Sequence, residues 1–136
     1  MTRHLLAFAL LCSAAPASAQ GAPPMPAPQE PACLQQLNIH DYQIVPQNRS
    51  LVVIDRARQR YRVNFITKCY DLQYKLRLRF QTLGVSRLAC LGRGDKVLFQ
   101  NPADPGAGFC IIHDVVYQTP AMDAQDAADA AAARQQ

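Results

Sequence analysis

The stretch Lys75-Leu76-Arg77-Leu78-Arg79-Phe80-Gln81 decides the reading of this chain. Leu76, Leu78 and Phe80 alternate with Lys75, Arg77, Arg79 and Gln81. Successive side chains of a strand point to opposite faces, so this alternation predicts a half-buried β-strand. It also sets three cations in a row on the wet face. Downstream, Cys90 leads into Gly92-Arg93-Gly94-Asp95, whose glycines mark a turn, and residues 96–100 resume as a strand. Upstream, residues 60–67 read as a strand with Tyr61, Val63 and Phe65 inward and Arg60, Arg62 and Asn64 outward.

The pattern extends both ways. Residues 51–55 form an apolar strand, followed by a polar reversal at 56–59. In residues 37–45, Leu37 and Ile39 share one parity and Tyr42 and Ile44 the other; a β-bulge at His40-Asp41 would return all four to one face. Pro46-Gln47-Asn48-Arg49 is a turn, and residues 69–74 allow one helical turn. Residues 83–94 are a connector. Residues 101–108, with Pro102, Pro105, Gly106 and Gly108, read as an open surface loop. Residues 109–117 are apolar at both parities, which places the last strand in the middle of the sheet. The fold class is therefore all-β: a small, disulfide-stapled barrel of five to six strands. Its first five strands follow the order of an OB-fold, and the sixth departs from it.

The flanks set the compartment. Residues 1–19 read as a secretory signal: Arg3 and His4, a short apolar run at 5–11, then Ala17-Ser18-Ala19 before Gln20. The run is too short to span a bilayer. Leu11 precedes Cys12, where a lipoprotein site wants a small residue, so a mature chain without lipid is expected. Residues 20–32 form a proline-rich linker carrying Pro23, Pro24, Pro26, Pro28 and Pro31. As a polyproline segment it reaches roughly 40 Å. Residues 33–118 are the β-domain, and residues 119–136 an alanine-rich tail, helical or disordered. In that tail Thr119 suits the N-cap and Pro120 the first helical position, with little to pack after Met122. The protein is expected to be periplasmic or secreted.

Removal of the signal leaves Cys33, Cys69, Cys90 and Cys110, an even set that argues for two disulfides in an oxidising compartment. If the first three strands form a meander, Cys33 before the first and Cys69 after the third lie about a strand length apart, some 17–20 Å. A disulfide tolerates no more than about 7 Å between Cα atoms. Cys33 then pairs with Cys90 or Cys110. Closure of the chain ends of a barrel favours Cys33 with Cys110, and Cys69 with Cys90.

The chain carries 14 Lys plus Arg against 10 Asp plus Glu. Residues 33–118 hold 12 basic and 6 acidic side chains, a net of +6. A basic body attracts anions. If the third and fourth strands are neighbours, Arg60, Arg62, Lys75, Arg77 and Arg79 share one surface, a candidate anion-binding face. Only Tyr70 and Tyr74 would add base stacking, and export argues against nucleic acid as the partner. His40-Asp41 and His113-Asp114 hold the only histidines after the signal; neighbours on a strand diverge, so neither pair should form a dyad, and His113 reads as a core or edge residue. No Gly-x-Ser-x-Gly, His-Glu-x-x-His, Cys-x-x-Cys or phosphate-loop pattern occurs, so no catalytic residue, metal site or cofactor is expected. Arg93-Gly94-Asp95 matches an adhesive tripeptide, yet the same residues make an ordinary turn before a strand.

Several of these residues resemble a family of small exported Gram-negative bacterial proteins of unknown function. The resemblance rests on Cys33-Leu34, Tyr42-Gln43-Ile44-Val45 leading to Asp55, Tyr61-Arg62-Val63, Cys69, Cys90 before Gly94-Asp95-Lys96-Val97, and Cys110-Ile111-Ile112. It covers residues 33–117 and implies an exported, disulfide-bonded β-domain without known activity. The sequence thus favours a monomeric, non-enzymatic domain that binds an anionic envelope polymer or lipid headgroup through its basic strands. The alternative is an inhibitor or accessory subunit docking on another envelope protein, and an enzyme is the third reading.

Overall fold

The computed structural model describes residues 29–70, 72, 77–84, 86, 88–101 and 104–135, and for 100, 101 and 104–107 the backbone only. The expected signal at 1–19, most of the proline-rich linker, Lys75, Leu76 and most of the helical turn expected at 69–74 lie outside the described residues. The strands are β1 (Ile39–Ile44), β2 (Ser50–Asp55), β3 (Arg60–Phe65), β4 (Leu78–Gln81), β5 (Lys96–Asn101) and β6 (Asp104–Tyr117), followed by helix α1 (Pro120–Ala133). They form one antiparallel sheet in the order β1-β2-β3-β6-β5-β4, curled into a half-barrel.

The all-β expectation holds, and so does the meander of the first three strands. The sixth strand enters between β3 and β5, which makes β6 the spine of the sheet. It begins at Asp104, six residues before Cys110, because most of the expected open loop is paired strand: the register runs unbroken from Gln100↔Ala107 to Lys96↔Ile111 and shifts between Gln100 and Asn101, which pairs with Asp104. Gly108 permits this pairing: a Cβ there would lie 2.2 Å from Phe99 Cε2, so the aromatic ring occupies the space a side chain would need. The early half of β6 pairs with β5 and the later half with β3. Residues 31–35 run alongside the same region, with the Ala32 N–H donating to the Val115 carbonyl (2.9 Å) and a bridge from Gln35 to Cys90.

The inner face carries the core. Leu51 and Val53 from β2, Tyr61, Val63 and Phe65 from β3, Phe80, Val97 and Phe99 from the β4–β5 pair, and Ile112 and Val115 from β6 are buried together, sealed by Leu34, Leu72 and Leu91. The bulge expected in β1 is present: Ile39 pairs with Asp55 and Asp41 with Ile54, leaving His40 over. It brings Ile39, Tyr42 and Ile44 against the core, while Leu37, outside the strand, stays exposed.

The expected disulfide pairing is corrected. Cys33 bonds Cys90 and Cys69 bonds Cys110, with Cα separations of 4.8 and 5.8 Å. Cys33 with Cys69 is indeed avoided. The error lay in treating Cys110 as the opening of the last strand. Cys110 sits inside β6, and the Ile66 N–H donating to the Ile111 carbonyl (3.0 Å) carries the chain after β3 directly alongside it. Two disulfides suit an oxidising compartment rather than the cytoplasm. Among the described residues no helix is long and apolar enough to cross a membrane.

The Gly-Arg-Gly-Asp segment is a turn with a structural duty. The buried Asp95 carboxylate accepts from the Leu83 N–H (2.7 Å) and the Gly92 N–H (2.8 Å). The Asp95 carbonyl accepts from the Ile112 N–H (2.8 Å), so one residue fastens the connector, the turn and the spine. Arg93 is exposed. Asp55 plays a similar part in the other half: it accepts from the Gln59 N–H (2.8 Å) and from the Tyr61 hydroxyl (3.2 Å). Burial and the adjacent Asp55 charge push the Tyr61 phenol up to about 12.

Candidate functional site

The outer face of the sheet divides at β6. Beside β3 and the end of β6, α1 is fastened to it by side-chain contacts. Thr119 caps this helix as expected, its hydroxyl accepting from the Met122 N–H (3.3 Å). The helix is better fastened than its alanine-rich sequence suggests, and the fastening is polar. No α1 residue is buried. Arg60 makes a two-pronged contact to Asp123 (2.6 and 2.9 Å), and Arg62 contacts Asp126 while its Nε donates to Gln118 (2.9 Å). Gln47 reaches Asp129 at 3.4 Å. Asp123, Asp126 and Asp129 recur every three residues, which keeps them on adjoining parts of one helical face. The Arg60 and Gln118 side chains hold the Asp123 carboxyl below the ordinary carboxylate value of 3.8. Beside the ion pairs, Val52 and Val116, which share the Arg62 face, are 2 % and 6 % exposed.

The five cations of the candidate face are therefore not one surface. Two strands, β6 and β5, separate β3 from β4. Arg60 and Arg62 are neutralised by the protein's own aspartates, Lys75 lies outside the described residues, and Arg77 and Arg79 are exposed at the opposite edge. The expected joint stripe is corrected on this topology: β3 and β4, consecutive in sequence, are not neighbours in the sheet.

Over β4, β5 and the early half of β6, no helix among the described residues covers the outer face. Arg79 opposes Leu98, Gln81 opposes Lys96, and Lys96 and Leu98 oppose Ile111 and Phe109. Phe109 is 52 % and Ile111 37 % exposed, and Ile66 and Tyr70, just past β3, are 49 % and 70 % exposed. These four side chains line one open cavity of about 330 Å³ with Lys68 and the Cys69–Cys110 disulfide. Lys68 Nζ lies 5.4 Å from the Tyr70 ring centre and Lys96 Nζ 4.8 Å from that of Phe109, both within cation–π range. Lys68, Lys96, Phe109 and Ile111 are the members that sequence reasoning missed. Residues 109–117 read as apolar on both faces and so as central, and β6 is central; but only its later half is covered on the outside. The alternation of Lys96 with Leu98 across from Phe109 and Ile111 would have signalled the patch once the β5–β6 register was known.

Two further features complete the surface. At the seam between the edge strands β1 and β4, cavities of about 470 and 330 Å³ share Gln36, Arg79 and Phe80. On β6, the register slips between Asn64↔Asp114 and Phe65↔Ile112, leaving His113 as an extra residue. The bulge cancels the strand alternation, so His113 Nδ1 meets Asp114 Oδ2 at 2.5 Å, and Asp114 also accepts from Asn64 (2.6 Å). This overturns the expectation that the dipeptide could not pair. Nor does His113 lie in the core, its side chain being 48 % exposed. Among the described residues no group of three or more His, Cys, Asp or Glu side chains is placed to hold a metal.

Compared with protein-family models, curated proteins and solved structures, the chain has no match.

Proposed function

We propose that this protein is an exported, non-enzymatic β-domain, cleaved after Ala19, that binds an anionic envelope component through the outer face of β4, β5 and the early half of β6. The resemblance to the exported Gram-negative family belongs to the same reading, and so does a periplasmic or secreted location. One observation carries it: the two basic regions have opposite fates. Arg60 and Arg62 are matched by Asp123 and Asp126, whereas Arg77 and Arg79 are exposed and Lys68 and Lys96 rest on exposed aromatic rings. Surface cations that meet no acid among the described residues are placed for a partner that brings negative charge.

The test is binding of the mature protein to dextran sulfate, a soluble anionic polymer, in steps of salt. Affinity that falls steeply between low and physiological salt supports the reading, since screening weakens contacts between exposed charges. Absence of binding at low salt contradicts it.

A further inference from the structure

We propose that the anionic partner of this face is a lipid bilayer bearing acidic headgroups, with Phe109, Ile111, Ile66 and Tyr70 entering the headgroup region and Lys68 and Lys96 meeting its phosphates. The inference rests on the anion-binding reading above and narrows it to one source of charge. A polymer such as an acidic polysaccharide offers charge and hydroxyl groups but little apolar surface. It would leave the Phe109 and Ile111 side chains, 52 % and 37 % exposed, without a counterpart.

A bilayer surface offers both. Its interface takes up amphipathic rings such as tyrosine, and affinity for it grows with apolar area and with each cation facing anionic lipid. The geometry matches these two demands on one face. Ile66, Tyr70, Phe109 and Ile111 adjoin a single cavity of about 330 Å³, so they form a contiguous patch rather than scattered exposed residues. The two ammonium groups stand at that patch, 5.4 and 4.8 Å from ring centres, where moving onto a phosphate exchanges one weak contact for a charged one. Arg79 and Lys96 share the outer face beside them, by the register Arg79↔Leu98 and Lys96↔Ile111. The disulfide Cys69–Cys110 joins the segment bearing Lys68 and Tyr70 to the strand bearing Phe109 and Ile111. The patch is thus fixed before it meets a membrane.

The experiment measures binding of the mature chain to phosphatidylcholine vesicles with and without phosphatidylglycerol, and to dextran sulfate, for the wild type and for Phe109→Asn with Ile111→Asn. The account expects binding to the phosphatidylglycerol vesicles. It expects the double variant to lose on the order of tenfold or more in vesicle affinity, while dextran sulfate binding stays within about twofold. Since both residues are exposed, the variant should keep the wild-type circular dichroism spectrum. Binding to dextran sulfate without binding to vesicles overturns this inference and leaves the anion-binding reading standing. Vesicle binding unchanged in the double variant overturns it too, because charge alone then accounts for attachment. Failure to bind either probe overturns both.

Discussion

The two halves of the outer sheet face have been finished differently. Beside β3 and the end of β6, a helix with no buried residue is tied to the sheet, its aspartates answering Arg60 and Arg62. Over β4, β5 and the start of β6, no helix among the described residues meets the cations, and the apolar residues between them stay in solvent. A basic stripe in a sequence therefore has two meanings. It is a docking site for the chain itself when acids with a matching helical period follow, and a surface for something else when they do not. Here Asp123 and Asp126 supply the answer for β3, Asp129 meets Gln47 in the turn before β2, and the acids of α1 are paired away from β4.

The joint between the halves offers the largest effect. Cys69→Ser with Cys110→Ser removes the tie between the end of β3 and the middle of β6, a loop with a sequence separation of 41. By the loop-entropy account this costs about 4 kcal/mol. Urea titration of the variant against the wild type measures it, and an unchanged midpoint would show that strand pairing alone holds the joint.

A smaller effect separates the covered half. In Arg62→Ala, Asp126 and Gln118 lose a half-buried partner, at a cost of ~1–2 kcal/mol. The helical signal in circular dichroism should fall, while the sheet and both disulfides persist. Loss of the whole fold would mean that α1 belongs to the core rather than to a polar cover.

Much of this was readable from residues. The alternation in β3 and β4, the bulge at His40, the Thr119 cap and the meander all follow from local rules that need no knowledge of distant partners. What escaped depended on pairing. Pro105, Gly106 and Gly108 look like a loop until Phe99 is known to lie across from Gly108. The length of β6, and with it the disulfides, turns on that one register. The two arginine stripes looked like neighbours because their strands are consecutive, and β6 and β5 together separate them. His113-Asp114 shows the same limit: a bulge formed against β3 pairs two side chains that strict alternation would divide.

Acid should reach the helix cover through a smaller, graded change. Asp123 sits below its ordinary value of 3.8 because Arg60 and Gln118 bond its charged form. Its contribution is complete above that ordinary value and lost as the pH falls from there through the lowered native one. Tyr61 acts with the opposite sign: raised from 10.0 to about 12, its contribution is complete below 10 and lost as the pH climbs through that window. Helical signal followed from neutral pH downward should hold flat until the carboxylate range and then decline. A decline beginning near neutrality would contradict the role given to Asp123.

The most direct test of the division sets two charge-removing variants side by side, Arg60→Gln with Arg62→Gln and Arg79→Gln with Lys96→Gln, each titrated with dextran sulfate at low salt. The account predicts that removing Arg79 and Lys96 weakens binding by roughly tenfold or more, at ~1 kcal/mol for each cation near an anionic surface. Removing Arg60 and Arg62 should change it by less than about twofold, because those charges are already matched within the protein. Loss of binding in the Arg60 and Arg62 variant, with none in the Arg79 and Lys96 variant, would contradict it.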